Sequence, residues 1–231
     1  MKKTQLLFVL AALAMLFSAS IQAQPFLSPT DCMPAAGANM RITSVIGYPS
    51  GHTLSNSFFD VFTVCQPPPP LGATQVYSSP CNFHCEMSSG GPPSSFTAPA
   101  VVTIRMTHTS DAGPDRIFQT EMLALDITGG NFPSGFKIRE SPTLQSTGQT
   151  SIRTMGGGQY QIDSFFDVFT ELSLDGGANW TPTNTGPAHV RLEPTASIPT
   201  MGEWGLIAMA VLLLATGAAI IVKRKAAFVK A

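Results

Sequence analysis

Two long apolar stretches flank a middle section in which short apolar runs alternate with turns. Residues 6–17 form an unbroken apolar run, and residues 205–222 contain no charged side chain. Between them, residues 100–106 alternate strictly, with Val102, Ile104 and Met106 on one face, as in a half-buried strand. No part of the middle section keeps a helical period. The pattern predicts a β-rich section between two apolar segments that lie outside its fold.

Short runs rich in β-branched and aromatic residues are the predicted strands of the middle section. These runs are residues 40–47, 57–64, 73–78, 100–108, 117–127, 136–139, 150–154, 159–174 and 188–193. Residues 117–127 also fit a short helix, which remains the alternative. Turns rich in Gly and Pro separate the runs, and residues 156–158 are one such turn. Short strands with frequent turns favour a mainly β fold, an antiparallel β-sandwich-like domain.

The first apolar segment predicts a secretory signal peptide over residues 1–23. Lys2 and Lys3 precede the apolar run, small and polar residues follow it, and the run is too short to span a bilayer. Cleavage is expected after Ala23, with cleavage after Ser20 as the alternative. An uncleaved N-terminal anchor is the competing interpretation.

The second apolar segment, residues 205–222, predicts a transmembrane helix of about 27 Å, enough to cross a bilayer core. Trp204 lies at its outer boundary, where an indole ring favours the headgroup region. Lys223, Arg224 and Lys225 form a basic stop-transfer tail. Positive residues stay in the cytoplasm, so we expect a single-pass protein whose C-terminus is cytoplasmic before any processing.

A short motif precedes this helix and consists of Ile198, Pro199, Thr200 and Met201, followed by Trp204 and Gly205. Together with the apolar helix and the basic tail, it resembles the IPTL-type C-terminal sorting signal of Gram-negative bacteria, with methionine in place of the leucine. The resemblance covers residues 197–231. It implies that an exosortase-like membrane transpeptidase recognises the protein as a substrate at the cell envelope or cell surface. Pro199 disfavours helix at Ile198, so the motif is extended and accessible to a protease-like cleft. A plain single-span anchor is the alternative.

The exported domain, residues 24–196, contains an internal repeat. The seven residues of 57–63, SFFDVFT, recur identically at 164–170. Asp60 and Asp167 each lie on an otherwise aromatic face of the predicted strand, and an unpaired buried carboxylate is costly. We expect each aspartate to cap a turn, to pair with an arginine or to bind a cation such as calcium, and the structural roles are favoured.

A turn motif follows the second copy and comprises Ser173, Asp175, Gly177 and Trp180. It is similar to the Asp-box of sialidase propellers and other β proteins. The resemblance implies a fold device without catalysis, in which Asp175 accepts hydrogen bonds of the turn and Trp180 packs under the hairpin. A propeller needs one such repeat per blade, so a single copy argues against that fold.

Four cysteines occur in the exported domain: Cys32, Cys65, Cys81 and Cys85. An even number in an oxidising compartment predicts two disulfides. Of the three pairings, sequence proximity favours Cys32 with Cys65 and Cys81 with Cys85. A metal site that combines Cys81, His84 and Cys85 is the alternative, although zinc sites usually show two separate ligand pairs.

Charge excludes one class of partner. All 14 acidic residues lie between Asp31 and Glu203, and only seven basic residues share that stretch. An acidic exported domain is not expected to bind nucleic acid, whereas it attracts divalent cations. The acidic turn 111–115 is thus a candidate for calcium, although a solvated turn is favoured and no cofactor is otherwise predicted.

Catalytic motifs are missing from the sequence. It contains no H-E-x-x-H, G-x-S-x-G or Walker pattern, and no catalytic or metal-ligating set is predicted. The carboxylate pairs Glu121/Asp126 and Asp163/Asp167 have the residue types of a glycosidase, but their spacing does not distinguish them from surface charges.

These observations favour a non-enzymatic, membrane-anchored cell-surface protein. The alternative is a surface-displayed module that binds carbohydrate or matrix, with an extracellular polysaccharide as its partner. Trp180, Tyr48 and Tyr77 are the aromatic residues that such a module could expose, although Trp180 is expected in the core. A secreted hydrolase is the third hypothesis.

Overall fold

The computed structural model describes residues 25–35 and 37–194, which form one antiparallel sheet of thirteen strands. The mainly β, antiparallel prediction is confirmed. The strands are β1 (Phe26–Ser28), β2 (Met40–Ile42), β3 (Ile46–Gly47), β4 (Thr53–Asp60), β5 (Thr74–Ser88), β6 (Ser94–Ala112), β7 (Asp115–Thr128), β8 (Lys137–Glu140), β9 (Ser146–Thr154), β10 (Tyr160–Val168), β11 (Thr170–Ser173), β12 (Thr181–Pro182) and β13 (Ala188–Leu192). Within the described residues the sole helical element is a 3₁₀ turn at Gly156–Gly158, between β9 and β10.

The two apolar segments, with the predicted signal peptide and transmembrane helix, lie outside the described residues. In the part of the chain that the structure describes, no helix has the length and apolar character needed to span a membrane.

Eight of the strands pair in a ring. Their order is β10, β13, β2, β4, β5, β6, β7 and β9, and the ring closes because β9 pairs with both β7 and β10. The sandwich-like prediction is therefore wrong in one respect, since the domain has one closed sheet instead of two facing sheets. Short alternating strands with frequent turns suit either architecture, and the pairing partners of β9 decide between them.

The predicted strands match most of this sheet, and residues 117–127 lie in a strand rather than a helix. The largest omission is the second half of β5, residues 79–88, where Pro80 and the two cysteines obscure the alternation. The predicted strand 159–174 is interrupted at Phe169, between β10 and β11.

Inward-facing side chains fill the closed sheet. Phe83, Phe118 and Ile152 are among the fully buried ones, and each buried side chain of this size contributes about 1.5–3 kcal/mol. A small cavity of about 30 Å³ remains inside, between residues that include Met33 and Phe59. The interior is thus a packed core, and candidate sites lie on the outer face and at the ends of the sheet.

The Cys32–Cys65 disulfide is confirmed. The second predicted disulfide is wrong, because Cys81 and Cys85 are free and buried on the same face of β5. Four residues of strand separate their Cα atoms by about 13 Å, beyond the reach of a disulfide. His84 lies on the opposite face of the strand, so these three side chains do not converge on a metal ion either. Burial raises the pKa of each free thiol to about 12.

A fork divides the sheet along β7. This strand pairs with β9 as far as Met122 and with β8 from Asp126 onward, so residues 123–125 between them pair with neither. Leu123 is an extra residue opposite the Thr103–Ile104 step of β6, which makes it a β-bulge. From this fork, β8, β11 and β12 branch away from the ring.

Candidate functional site

The two repeat copies place their aspartates on the outer face of the ring. The His84 ring donates from Nε2 to Asp60 Oδ1 over 3.0 Å, and the His189 ring donates from Nδ1 to Asp167 Oδ1 over 2.8 Å. In each copy the partner is a histidine of the neighbouring strand, β5 or β13. Both aspartates therefore have a structural partner, although neither caps a turn or pairs with an arginine.

The Asp-box-like turn is built around the Asp175 carboxylate. It accepts hydrogen bonds from the Asn179 backbone N–H (2.9 Å), the Asn179 side-chain amide (2.6 Å) and the Ser173 hydroxyl (2.8 Å). These bonds, the backbone one first, lower the pKa of Asp175 to about 2. Their stabilising contribution is present above the ordinary carboxyl range and is lost as the pH falls towards 2. Gly177 has φ +101°, a conformation that L side chains rarely adopt.

This turn holds Trp180 beside β8. The guanidinium carbon of Arg139 lies 4.1 Å from the centroid of the Trp180 ring, a cation–π contact. The ring stays partly exposed. By contrast, the other two aromatic candidates are buried. Tyr77 faces the core from β5 and is 7% exposed, and Tyr48, directly after β3, is 2% exposed. Neither tyrosine can therefore serve as the exposed aromatic residue of a binding module, whereas Trp180, which was expected in the core, lines a surface cleft.

That cleft lies at the fork of β7 and has a volume of about 390 Å³. We call it the fork cleft; its lining includes Leu123, Asp126, Lys137, Arg139, Glu140, Pro142 and Trp180. A second depression of about 180 Å³ shares Leu123, Glu140 and Pro142 with it and extends along the loop 141–145. Together they form an open groove with an aromatic and apolar wall and several charged groups, the usual composition of a binding site.

A buried carboxylate anchors one wall of the fork cleft. Glu171 is almost fully buried, and its Oε2 accepts two hydrogen bonds from Arg139, at 2.9 Å from Nε and 2.7 Å from Nη2. Its Oε1 accepts a third from the Ser141 hydroxyl at 3.2 Å. Two hydrogen bonds from different nitrogens to one carboxylate oxygen orient the guanidinium group, so Arg139 and the Trp180 ring below it are held in place before any ligand arrives.

Glu140 is the titratable group with a shifted pKa in this cleft. Burial raises the pKa of its carboxyl, the Ser146 hydroxyl that donates to Oε1 at 3.0 Å lowers it in part, and the nearby charges of Glu121 and Glu171 raise it further. Because burial dominates, the protonated form of Glu140 persists to a higher pH than in a free glutamate.

Sequence reasoning missed the residues that make the cleft. No motif contains Arg139, Glu140 or Glu171. These residues lie on the short strands β8 and β11, and nothing in the sequence indicated that the two strands pair. The predicted carboxylate pairs do not form pairs of free acids. Glu121 pairs with Arg105, and Asp126 lies opposite Arg139 in the sheet register.

The remaining candidates for cation binding also have protein partners. In the turn 111–115, Asp111 pairs with His108 at 2.9 Å, and Asp115 accepts two 2.7 Å hydrogen bonds from Arg153. Asp163 and Arg191 lie 3.7 Å apart. Among residues 25–35 and 37–194, no three His, Cys, Asp or Glu side chains are grouped so that they could hold a metal ion.

Comparison with known proteins gives one match. Residues 196–224 match the IPTL-CTERM motif, and that range contains all six predicted motif residues. Neither a curated protein nor a solved structure matches the chain at a significant level. The chain thus carries a C-terminal sorting signal of the IPTL-CTERM type, which indicates an exported, cell-surface protein.

Proposed function

We propose that this chain is a membrane-anchored surface protein of a Gram-negative bacterium and a substrate of an exosortase-like sorting enzyme. The single observation that supports this is the IPTL-CTERM match at residues 196–224. The apolar segment 205–222 and the basic residues behind it suit a helix that holds the motif at the membrane during recognition. In this proposal the signal peptide directs export, and the β domain remains outside.

The intact mass of the surface-released protein tests this proposal. We expect a mature form that starts at Gln24 and ends near Thr200. Pro199→Ala should leave the protein unprocessed, because it changes the motif and removes a residue that disfavours helix at Ile198. Pro194→Ala, a matched change outside the motif, should be processed normally. A tail of Lys223 to Lys230 retained in every fraction would overturn the sorting role and leave a plain anchor.

A second candidate function is that of a displayed carbohydrate- or matrix-binding module. The observation that favours it is the fork cleft, which combines the Trp180 ring with charged groups of both signs on a rigid wall. An array of polysaccharides probed with the purified full-length chain tests it. Retention on no member of the array would remove this function without affecting the sorting proposal.

A further inference from the structure

We infer that the fork cleft binds an uncharged oligosaccharide chain through Trp180, Leu123 and the polar groups of β8; this rests on the second candidate function above. The cleft and the depression beside it have the combined space and the open shape for an extended ligand. The shared wall of Leu123 and Pro142 makes the groove continuous across Glu140.

The charge distribution favours an uncharged ligand over an anionic one. Each arginine in the described part of the chain already faces a carboxylate: Arg41 with Glu193, Arg105 with Glu121, Arg116 with Asp31, Arg139 with Glu171, Arg153 with Asp115, and Arg191 with Asp163. An acidic sugar that took Arg139 from Glu171 would leave a buried charge unpaired, which is costly. Lys137 is the cationic residue of the cleft that has no carboxylate within ion-pair distance among the described residues. The cleft also contains two carboxyl groups, Asp126 and Glu140, which oppose the binding of an anion.

The groups of the cleft suit hydroxyls instead. A hydroxyl both donates and accepts, so sugar hydroxyls can pair with the Lys137 ammonium as well as with the Asp126 carboxylate. Glu140 accepts when ionised and donates when protonated, and burial raises the pKa of its carboxyl, so the donating form persists to a higher pH than in a free glutamate. The apolar surfaces of Leu123, Pro142 and Trp180 can contact the C–H faces of sugar rings.

The cleft is also rigid, which reduces the cost of binding. Arg139 is held by Glu171, Trp180 is held by Arg139 and by the Asp175 turn, and Glu140 is held by Ser146. Side chains that are already ordered lose little conformational entropy when a ligand arrives.

A microarray of neutral and acidic polysaccharides, probed with the detergent-solubilised full-length chain, tests this inference. We expect retention by neutral members only, followed by a measurable Kd for the best of them. Leu123→Asp, on a side chain that is 38% exposed in the cleft, should weaken that Kd about tenfold or more because it removes the apolar surface that contacts the sugar ring. Val76→Asp is the matched control, because Val76 is 55% exposed on β5 outside the cleft lining, and its Kd should stay within about twofold.

The fluorescence of Trp180 provides a second measurement that does not depend on a destabilising change. In a Trp204→Phe background Trp180 is the sole tryptophan, and the neutral ligand should shift or quench its emission on titration. If Leu123→Asp and Val76→Asp affect binding equally and the emission does not change, the fork cleft is not the binding site. The protein would then still be a carbohydrate-binding module. Retention of acidic members alone would overturn the ligand class, and no retention at all would remove both.

Discussion

The same seven residues occur twice in this protein, and their two copies end differently. In the second copy, Val168 is still part of β10, as its last residue, and is 1% exposed. In the first copy, β4 ends at Asp60, and the equivalent Val61 is 60% exposed with a left-handed φ of +53°. A β-branched residue in that conformation is strained, so something outside the heptapeptide imposes it.

The neighbouring strands account for the difference. β10 is paired along nearly its whole length, with β9 on one side over Tyr160–Asp167 and with β13 on the other over Phe165–Val168. β4 has β2 opposite only Phe58 and Phe59, and its pairing with β5 stops at Asp60. The chain then leaves the sheet towards Cys65 and the disulfide. Identical β propensity therefore continues as a strand only where the partner strands continue.

The two copies share the direction in which their side chains point, because that direction follows from the alternation of a strand. Phe59 and Phe166 point inward and are buried, whereas Asp60 and Asp167 point outward to a histidine. Three experiments separate the shared part from the part that context decides, and the largest expected effect comes first.

Replacing both Cys32 and Cys65 with serine removes the disulfide that fixes the chain after the first copy. The disulfide joins residues separated by 33 positions, so its loss should lower the free energy of unfolding by about 4 kcal/mol. Urea unfolding of the full-length chain measures this, and wild-type protein in reductant should unfold like the double variant. Equal midpoints for wild-type protein with and without reductant would contradict the role of the disulfide in fixing this part of the chain.

Glycine at the equivalent valines should have opposite effects in the two copies. Val168→Gly removes a buried side chain from a strand and should lower the free energy of unfolding by about 3 kcal/mol. Val61→Gly relieves the left-handed strain at an exposed site and should raise that free energy by up to about 1 kcal/mol. The two unfolding midpoints provide the measurement. A loss of stability in both variants would show that Val61 is not strained by its neighbours.

The shared Asp–His pairs should behave alike. Both pairs are partly exposed to solvent, so Asp60→Asn and Asp167→Asn should each change the free energy of unfolding by less than about 1 kcal/mol. Thermal unfolding at low and high salt measures both effects, and the small differences should shrink in salt. A markedly larger loss in one copy would mean that the outward face, too, depends on context.

Local patterns in the sequence were enough to predict several features. Alternation and Gly/Pro turns identified an antiparallel β domain and most of its strands, because side-chain direction in a strand follows a period of two regardless of partners. Sequence proximity favoured the Cys32–Cys65 disulfide correctly, although the same argument failed for Cys81 and Cys85. The motif at 198–201, with its tryptophan and basic tail, predicted the sorting signal now matched at residues 196–224.

Long-range pairing decided the rest. The sheet is closed because β9 pairs with both β7 and β10. Cys81 and Cys85 form no disulfide because they lie four residues apart on one strand. The fork cleft depends on strands β7, β8 and β11 meeting, and none of Arg139, Glu140 and Glu171 belongs to a motif. Such features arise from contacts between residues far apart in sequence. The repeat illustrates the physical reason, because seven identical residues adopt two conformations where their neighbouring strands differ.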